Sequence, residues 1–218
     1  MHDNDPRSLR WQSFFEWLMA VVVNTFLFWL AAMLVVTLPV AITATFAGMS
    51  GTIRPVPMET GRRFWQALRS TFGRSWALFL IDLLVGLLLY LDIRLFLGLG
   101  GPAGIAAAYG FGLMGILLAM INLYAWPLLA WYPRPLGRLL KHAFLLAVGH
   151  PVPALGGLVA PTAALWLLLL LPTGLNVLVL MFGPALAAYL MGRAAWQVLS
   201  RYPLPEEELT FPTGRRSA

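Results

Sequence analysis

The sequence predicts an all-α, multi-pass membrane protein, and three observations support this fold class. Hydrophobic residues make up 60% of the 218 residues and charged residues only 11%, whereas an ordinary soluble domain carries roughly 25% charge. The apolar runs are long and lack the alternation that is typical of barrel strands. Helices satisfy their own backbone hydrogen bonds in lipid. We therefore expect one helical membrane domain over residues 13–200, preceded by a cytoplasmic tail (residues 1–12) and followed by a disordered tail (residues 201–218).

The first apolar run, residues 14–53, sets the number of crossings. It is about twice the ~20 residues that span the hydrocarbon of a bilayer. Pro39 removes a backbone donor, so we expect the run to break there, with one helix to about Leu38 and a shorter helix returning to about Ile53. This hairpin gives six membrane segments with both termini inside. A single long first helix would give five segments with the N-terminus outside, and we favour six, although the returning ~14 residues are short for a full crossing.

The remaining apolar runs cover about residues 75–97, 103–131, 152–171 and 176–199. Two basic intervals, residues 54–74 and 132–151, separate them, while the turns near residues 100 and 172 are almost uncharged. An excess of Lys and Arg marks the cytoplasmic side of a membrane. Both basic intervals and both chain ends are therefore predicted to lie inside. The two halves also share an order of membrane helix, proline, basic segment and membrane helix, which is a weak indication of an internal repeat.

Each basic interval has the pattern of an amphipathic helix at the membrane interface. In the first, Phe64, Leu68 and Phe72 recur every four residues, while Arg62 and Arg69 fall on another face. The second alternates basic and apolar residues in the same way. Such helices either anchor the protein or dock another subunit. The predicted docking residues are Arg62, Arg63, Phe64, Trp65, Leu68, Arg69, Phe72, Arg138, Lys141 and His142.

Polar residues inside apolar runs are the candidates for function, because a charge is costly to bury in lipid. They are Asp82, Arg193, Asn24 and Asn122. Asp82 and Arg193 lie at a similar depth, ~12 Å from the cytoplasmic ends of their helices, and we predict that they form an ion pair. The alternative is that Arg193 snorkels to the interface while Asp82 is protonated or faces water.

Small residues four apart in the fourth run offer a surface for close helix contact. They are Gly104, Ala108 and Gly112, and they suggest a homo-oligomer. The other expected partner is the bilayer itself: the basic residues lie between apolar runs, where they meet lipid head groups rather than nucleic acid.

Signals for catalysis are sparse. Residues 48–51 read Gly-Met-Ser-Gly, which is similar to the serine motif of rhomboid intramembrane proteases, but the match is only four residues long. Ser50 lies at the end of the early hairpin, and the candidate bases His142 and His150 lie in an interfacial segment. The chain has no cysteine, no clustered metal ligands and no nucleotide-binding motif. We therefore predict no enzyme activity, no cofactor and no metal, with a serine hydrolase as a remote alternative.

Several segments resemble the YesL family of membrane proteins. They are VVVNTFLFWL (residues 21–30), TLPVAITATFAG (37–48), FWQALRSTFGRSWALFLIDLLVGLLLYLDIR (64–94), WPLLAWY (126–132), LLKHAFLLAVGHP (139–151) and LAAYLMGR (186–193). The resemblance covers roughly residues 12–200. Its family-like positions are Asn24, Pro39, Thr43, Phe64, Phe72, Asp92, Pro127, His150 and Pro151.

The resemblance implies a role in bacterial carbohydrate uptake. Members are often associated with ABC transporters for carbohydrates, so it implies a non-enzymatic accessory protein of the bacterial cytoplasmic membrane, with transporter permease subunits as partners. A self-contained carrier or channel, with its path near Asp82, Asn24 and Asn122, is the alternative that the residues themselves leave open.

Overall fold

A computed structural model describes residues 6–132, 134–170 and 172–201. These residues form nine α-helices and one 3₁₀ turn, with no strand among them. The helices are α1 (Pro6–Ala32), α2 (Leu38–Gly48), α3 (Ser50–Ile53), α4 (Thr60–Ser70), α5 (Phe72–Leu99), α6 (Gly101–Trp131), α7 (Leu136–Gly149), α8 (Pro151–Leu170) and α9 (Thr173–Leu199). The predicted N-terminal tail partly belongs to α1, because that helix begins at Pro6. All but the first residue of the predicted C-terminal tail lies outside the described residues.

The described helices are long and apolar enough to cross a bilayer five or six times. Five segments qualify singly: Trp11–Ala32, Val35–Ile53, Phe72–Leu99, Gly101–Trp131 and Asn176–Leu199. A sixth is obtained if α7 and the first part of α8, which meet at a bend of 98°, count as one span. The chain is therefore an all-α, multi-pass membrane protein, as predicted.

The first apolar run folds back on itself, but the break comes before Pro39. Helix α1 ends at Ala32 and a 3₁₀ turn covers Val35–Thr37. Pro39 is buried in the first turn of α2, where its missing N–H would have had no helical acceptor in any case. The two helices run antiparallel, since Asn24 of α1 bonds to Thr45 of α2. The prediction of a hairpin is right in its topology, and the prediction that Pro39 forms its turn is wrong.

Helix α2 forms the centre of the molecule. Nine of its eleven residues, Pro39–Ala41 and Thr43–Gly48, are buried. It contacts α1, α4, α5, α6 and α9. The hydroxyl groups of Thr43 and Ser75 lie 2.8 Å apart and join α2 to the first turn of α5.

Helix α4 is amphipathic, as its sequence predicts, and packs against α2. Phe64 and Ala67 are buried in the core, and Leu68 is partly buried against it. The helix ends at Ser70, so Phe72 does not continue this buried stripe. Phe72 begins α5 and is exposed.

Helices α5 and α6 form a long hairpin through the tight turn at Gly100 and Gly101, both of which have positive φ. A Cβ at Gly104 would lie 2.5 Å from the carbonyl oxygen of Phe96, so the backbones approach closely there. Phe96 and Phe111 stack beside this contact. Further toward the start of α5 and the end of α6, the hairpin joins the rest of the bundle, and residues 123–132 are buried.

Candidate functional site

A cavity of about 760 Å³ is lined by arginines. It lies between the end of α3, helix α4, the start of α5 and the end of α6. Its basic side chains come from three separate segments of the chain. They are Arg54, Arg62, Arg63, Arg69 and Arg74, accompanied by the single acidic residue Glu59.

Arg54 lies in an aromatic cage at one wall of the cavity. Its guanidinium carbon is 5.4 Å from the ring centre of Trp131, 5.3 Å from that of Tyr132 and 5.2 Å from that of Trp196. Cation–π attraction holds the side chain in place. Burial lowers the pKa of Arg54, and the nearby charge of Arg63 lowers it further, although Tyr132 acts in the opposite direction. An arginine stays protonated in proteins, so this site keeps a partly desolvated positive charge.

Two further arginines point into the same space from α4 and α5. Arg63 donates a hydrogen bond of 3.3 Å to the Ser50 hydroxyl. Arg74 donates one of 3.2 Å to the backbone carbonyl of Arg134, which joins the start of α5 to the segment after α6. The Nε atoms of Arg54 and Arg63 are buried and have no hydrogen-bond partner within the described part of the chain. These guanidinium groups therefore retain donors that no group in the described part of the chain uses.

The negative charge near the cavity is already engaged. Glu59 forms an ion pair of 3.2 Å with Arg62, whose side chain is 75% exposed, against 42% for that of Glu59. This is the one ion pair found among residues 6–132, 134–170 and 172–201. The other four arginines of the cavity consequently have no carboxylate partner in that part of the chain.

Tyr132 marks the edge of the cavity at the end of α6. Burial raises the pKa of its phenol, while the charges of Arg54 and Arg134 lower it. The net shift is upward, so the phenol remains neutral and does not neutralise Arg54. The cavity therefore has a basic character at neutral pH.

Asp82 and Arg193, which were predicted to pair, each form a hydrogen bond with a different residue. Asn122 of α6 donates a 3.0 Å hydrogen bond to Asp82 of α5. Arg193 is exposed and donates a 2.9 Å bond to the Tyr189 hydroxyl one turn earlier in α9. The predicted ion pair is therefore wrong. Equal depth along two helices does not make them neighbours, and α5 packs mainly against α6.

Asn24, another predicted site residue, is a packing residue of the core. It is fully buried and its amide donates a 2.9 Å bond to the Thr45 carbonyl. A Cβ at Gly48 would overlap the side-chain oxygen of Asn24. That oxygen has no hydrogen-bond partner among the described residues. Asn24, Asp82 and Asn122 do not line the arginine cavity.

The predicted docking residues divide into three groups. Phe64 is fully buried and Leu68 partly buried, so they fix α4 to the core, which corrects their assignment to a docking face. Arg63 points into the cavity. The exposed members are Arg62, Trp65, Arg69, Phe72, Arg138, Lys141 and His142. Of these, Arg62, Trp65 and Arg69 also line the cavity.

The small-residue stripe of α6 is used within the chain. Gly104 and Ala108 are buried, and Gly104 packs against the Phe96 carbonyl. A Cβ at Gly112 would meet no atom within 4 Å. The close approach that the spacing predicts therefore occurs between α5 and α6, and oligomerisation through this stripe stays a prediction.

Ser50, the residue of the rhomboid-like motif, lines the arginine cavity. Its hydroxyl donates to the Ala47 carbonyl at 2.6 Å and accepts from Arg63. Neither partner is a base that would activate a nucleophile.

The remaining family-like positions lie at helix ends and helix contacts. Thr43 bonds to Ser75, and Pro127 is buried within α6. His150 and Pro151 mark the junction of α7 and α8. Asp92 lies half-buried toward the far end of α5.

Sequence reasoning missed the cavity and its lining residues Arg54, Arg74, Trp131 and Tyr132. It also missed Trp196, which contacts Arg54. The available signal was the prediction that both basic intervals lie on one side of the membrane. That prediction placed both intervals at the same membrane surface, but it did not indicate a cavity beside them.

The fold and the cavity define a multi-pass helical membrane protein with a basic cavity beside the ends of its spans. Residues 19–93 match a family model whose description is "Protein of unknown function, DUF624". Comparison with curated proteins and with solved structures gave no match. The matched segment contains all five cavity arginines and the core residues Asn24 and Thr43, whereas Pro127, His150 and Pro151 lie beyond it.

Proposed function

We propose that this chain is a non-enzymatic, YesL-like accessory protein of the bacterial cytoplasmic membrane that acts with a carbohydrate ABC transporter. The outward face of α4 carries the proposal. Arg62, Trp65 and Arg69 are exposed there, while Phe64 on the opposite face is fully buried. Arg and Trp are enriched in protein interfaces, and the buried side of the helix holds them on a rigid support.

A second basic helix lies near the first. The bond between Arg74 and the Arg134 carbonyl brings the start of α5 next to the segment that leads into α7. Arg138, Lys141 and His142 of α7 are exposed. The two helices together offer a basic surface at one end of the bundle, and the positive-inside rule favours the cytoplasm for that end.

The positions of the chain ends support this orientation. Phe15 and Glu16 of α1 line a small cavity with Met58 and Thr60, which lie beside the arginine-rich segment. Trp196, near the end of α9, contacts Arg54. Both ends of the described chain thus lie close to the basic interval, as the proposed topology with both termini inside requires.

The link to carbohydrate uptake comes from the family resemblance. The segments that resemble the YesL family run from α1 to α9, and the DUF624 match over residues 19–93 supports the part of that resemblance on which α4 lies. The proposal therefore predicts a specific partner, the membrane subunits of a carbohydrate ABC transporter.

Quantitative co-purification from the native membrane tests the proposal. The affinity-tagged chain is extracted in mild detergent, and co-purified permease and ATPase subunits are measured by mass spectrometry. The double variant Arg62→Glu with Arg69→Glu should reduce their recovery about tenfold or more, because like charges facing each other across an interface cost several kcal/mol. Equal reversals at Arg94, exposed toward the other end of α5, and at Arg193 serve as the matched control. Absence of transporter subunits, or equal loss in the control, contradicts the proposal.

The second candidate is a self-contained carrier or channel, and the polar contact between Asp82 and Asn122 inside the α5–α6 hairpin favours it. Polar pairs within membrane helices often belong to a solute or proton path. Sugar flux into proteoliposomes that contain this chain alone would support the carrier and reject the accessory role. Labelling of Ser50 by a fluorophosphonate, lost in Ser50→Ala, would instead support the remote hydrolase alternative.

A further inference from the structure

We infer that the arginine-lined cavity binds an anionic phosphoryl group, with Arg54, Arg63 and Arg74 as its ligands. This inference does not depend on the proposed transporter partner. The group comes either from the head group of an anionic lipid or from a small phosphorylated molecule in solution. The chemistry recognised is the same in both cases.

The first argument is the charge that the cavity leaves uncompensated. Five arginines line it, and its one acidic residue, Glu59, is paired with Arg62. Buried charges are normally paired, because removal from water is costly. Burial disfavours the charged form of Arg54 and therefore lowers the pKa of its guanidinium. An anion in the cavity would offset this cost.

The second argument is the supply of unused donors. The buried Nε atoms of Arg54 and Arg63 have no partner among the described residues, and Arg74 uses one nitrogen for the Arg134 carbonyl. A guanidinium presents five N–H donors in a planar fork that suits phosphoryl oxygens. Because a phosphoryl group has several anionic oxygens, it accepts from more than one guanidinium at once.

The aromatic cage prepares Arg54 for this role. The rings of Trp131, Tyr132 and Trp196 surround its guanidinium and restrict its side chain before any ligand binds. A side chain that is already ordered loses less entropy on binding. Neighbouring Ser50, which holds Arg63, acts in the same way on the second arginine.

The position of the cavity agrees with both sources of the phosphoryl group. Arg54 directly follows the apolar segment that ends at Ile53, and Tyr132 directly follows the one that ends at Trp131. Arg74 is the third residue of the segment that begins at Phe72. These positions are typical of the boundary between hydrocarbon and head groups, where anionic lipids attract basic residues. The volume of about 760 Å³ also lies within the ~300–1,000 Å³ range of small-molecule sites.

Binding is tested on the full chain with two probes. In the soluble arm, radiolabelled inorganic phosphate is bound to the chain in phosphatidylcholine nanodiscs and measured by equilibrium dialysis. In the lipid arm, retention of phosphatidylglycerol from mixed vesicles is measured by native mass spectrometry. Arg63→Gln and Arg74→Gln should each weaken binding about tenfold or more, as expected for a charged hydrogen bond. Arg94→Gln, which removes an exposed arginine toward the other end of α5 and outside the cavity, should leave it within about twofold.

Each result of these measurements decides the question. A loss confined to the soluble arm supports the inference with a free phosphorylated ligand, and a loss confined to the lipid arm supports it with a lipid head group. A loss in both arms supports it with either source. If the wild type binds neither probe, or if Arg63→Gln and Arg74→Gln match Arg94→Gln in both arms, the inference is overturned.

A second measurement on the wild type covers the case in which the variants do not fold. Phenylglyoxal modifies accessible arginines, and mass spectrometry reports the rate at each position. Phosphate or phosphatidylglycerol should protect Arg63 and Arg74 but not Arg94. Equal rates with and without both probes would overturn the inference.

Discussion

Helices α2 and α5 are both apolar, yet they occupy opposite environments. The segment Val35–Ile53, which contains α2, has a mean hydropathy of 1.4, and 61% of its most apolar 18-residue window is buried within the protein. For α5 the mean hydropathy is 2.1 and the buried share is only 6%. The more hydrophobic helix is therefore the more exposed one.

The contrast follows from the solvent. Lipid tails are as apolar as leucine, so hydrophobicity does not drive helices together inside a bilayer. Close packing and hydrogen bonds do, and they favour small and hydroxyl-bearing residues. Helix α2 supplies Ala41, Thr43, Ala44, Thr45 and Gly48, whereas α5 presents Leu83, Leu84, Leu87 and Leu88 to its surroundings.

The largest test of this contrast uses one glycine from each helix. Gly48→Leu in α2 should destabilise the protein by about 3 kcal/mol or more, because the new side chain overlaps buried Asn24 and displaces its bond to Thr45. Gly86→Leu in α5 is the matched control, since a Cβ there meets no atom within 4 Å. Thermal unfolding in detergent measures both, and equal destabilisation would show that α2 is not the tightly packed helix.

A second test deletes aliphatic side chains of similar chemistry. Val40→Ala removes fully buried methyl groups of α2 and should cost about 2 kcal/mol. Leu84→Ala in α5 removes a side chain that is 60% exposed, so its cost should stay below about 0.5 kcal/mol. Unfolding in lipid nanodiscs gives both values. A loss of stability above about 0.5 kcal/mol for Leu84→Ala would indicate that a partner protein or a second copy of this chain packs against α5.

The smallest expected effect concerns the polar contact that α5 makes. A double-mutant cycle with Asp82→Leu and Asn122→Leu should give a coupling energy of about 0.6 kcal/mol, the average for hydrogen bonds between membrane helices, and at most about 1.7 kcal/mol. The parallel cycle of Asp82→Leu with Arg193→Leu should give none, because Arg193 bonds to Tyr189 instead. Coupling in the second cycle and not in the first would restore the ion pair that the sequence suggested.

Prediction from the sequence succeeded where hydrophobicity alone determines the structure. Long apolar runs in a nearly uncharged chain permit only membrane helices, and the predicted run of residues 75–97 corresponds to α5. The fold-back of the first run also follows from its length. Its break was misplaced because proline is well tolerated in the first turn of a helix, so Pro39 begins α2 rather than forming the bend.

The candidate site could not be predicted in the same way, because the sequence does not specify which helices pack against each other. Helical depth placed Asp82 and Arg193 at one level, but the direction in which a side chain points is set by packing, and α5 faces α6. Likewise, Arg54 and Trp196 are far apart in the chain and meet only because α9 packs beside α3. Charge counting assigned both basic intervals to one side, but it contained no information about a cavity between them.

The central position of α2 has a consequence for biogenesis. Synthesis is vectorial, so α2 leaves the ribosome well before α9, the last of the described helices and one of those that enclose it. Until then, the threonine and alanine surface of α2 lacks its final neighbour in the membrane. Completion of the core therefore waits for α9, and truncation before α9 would expose the incompletely packed α2 to membrane quality-control proteases.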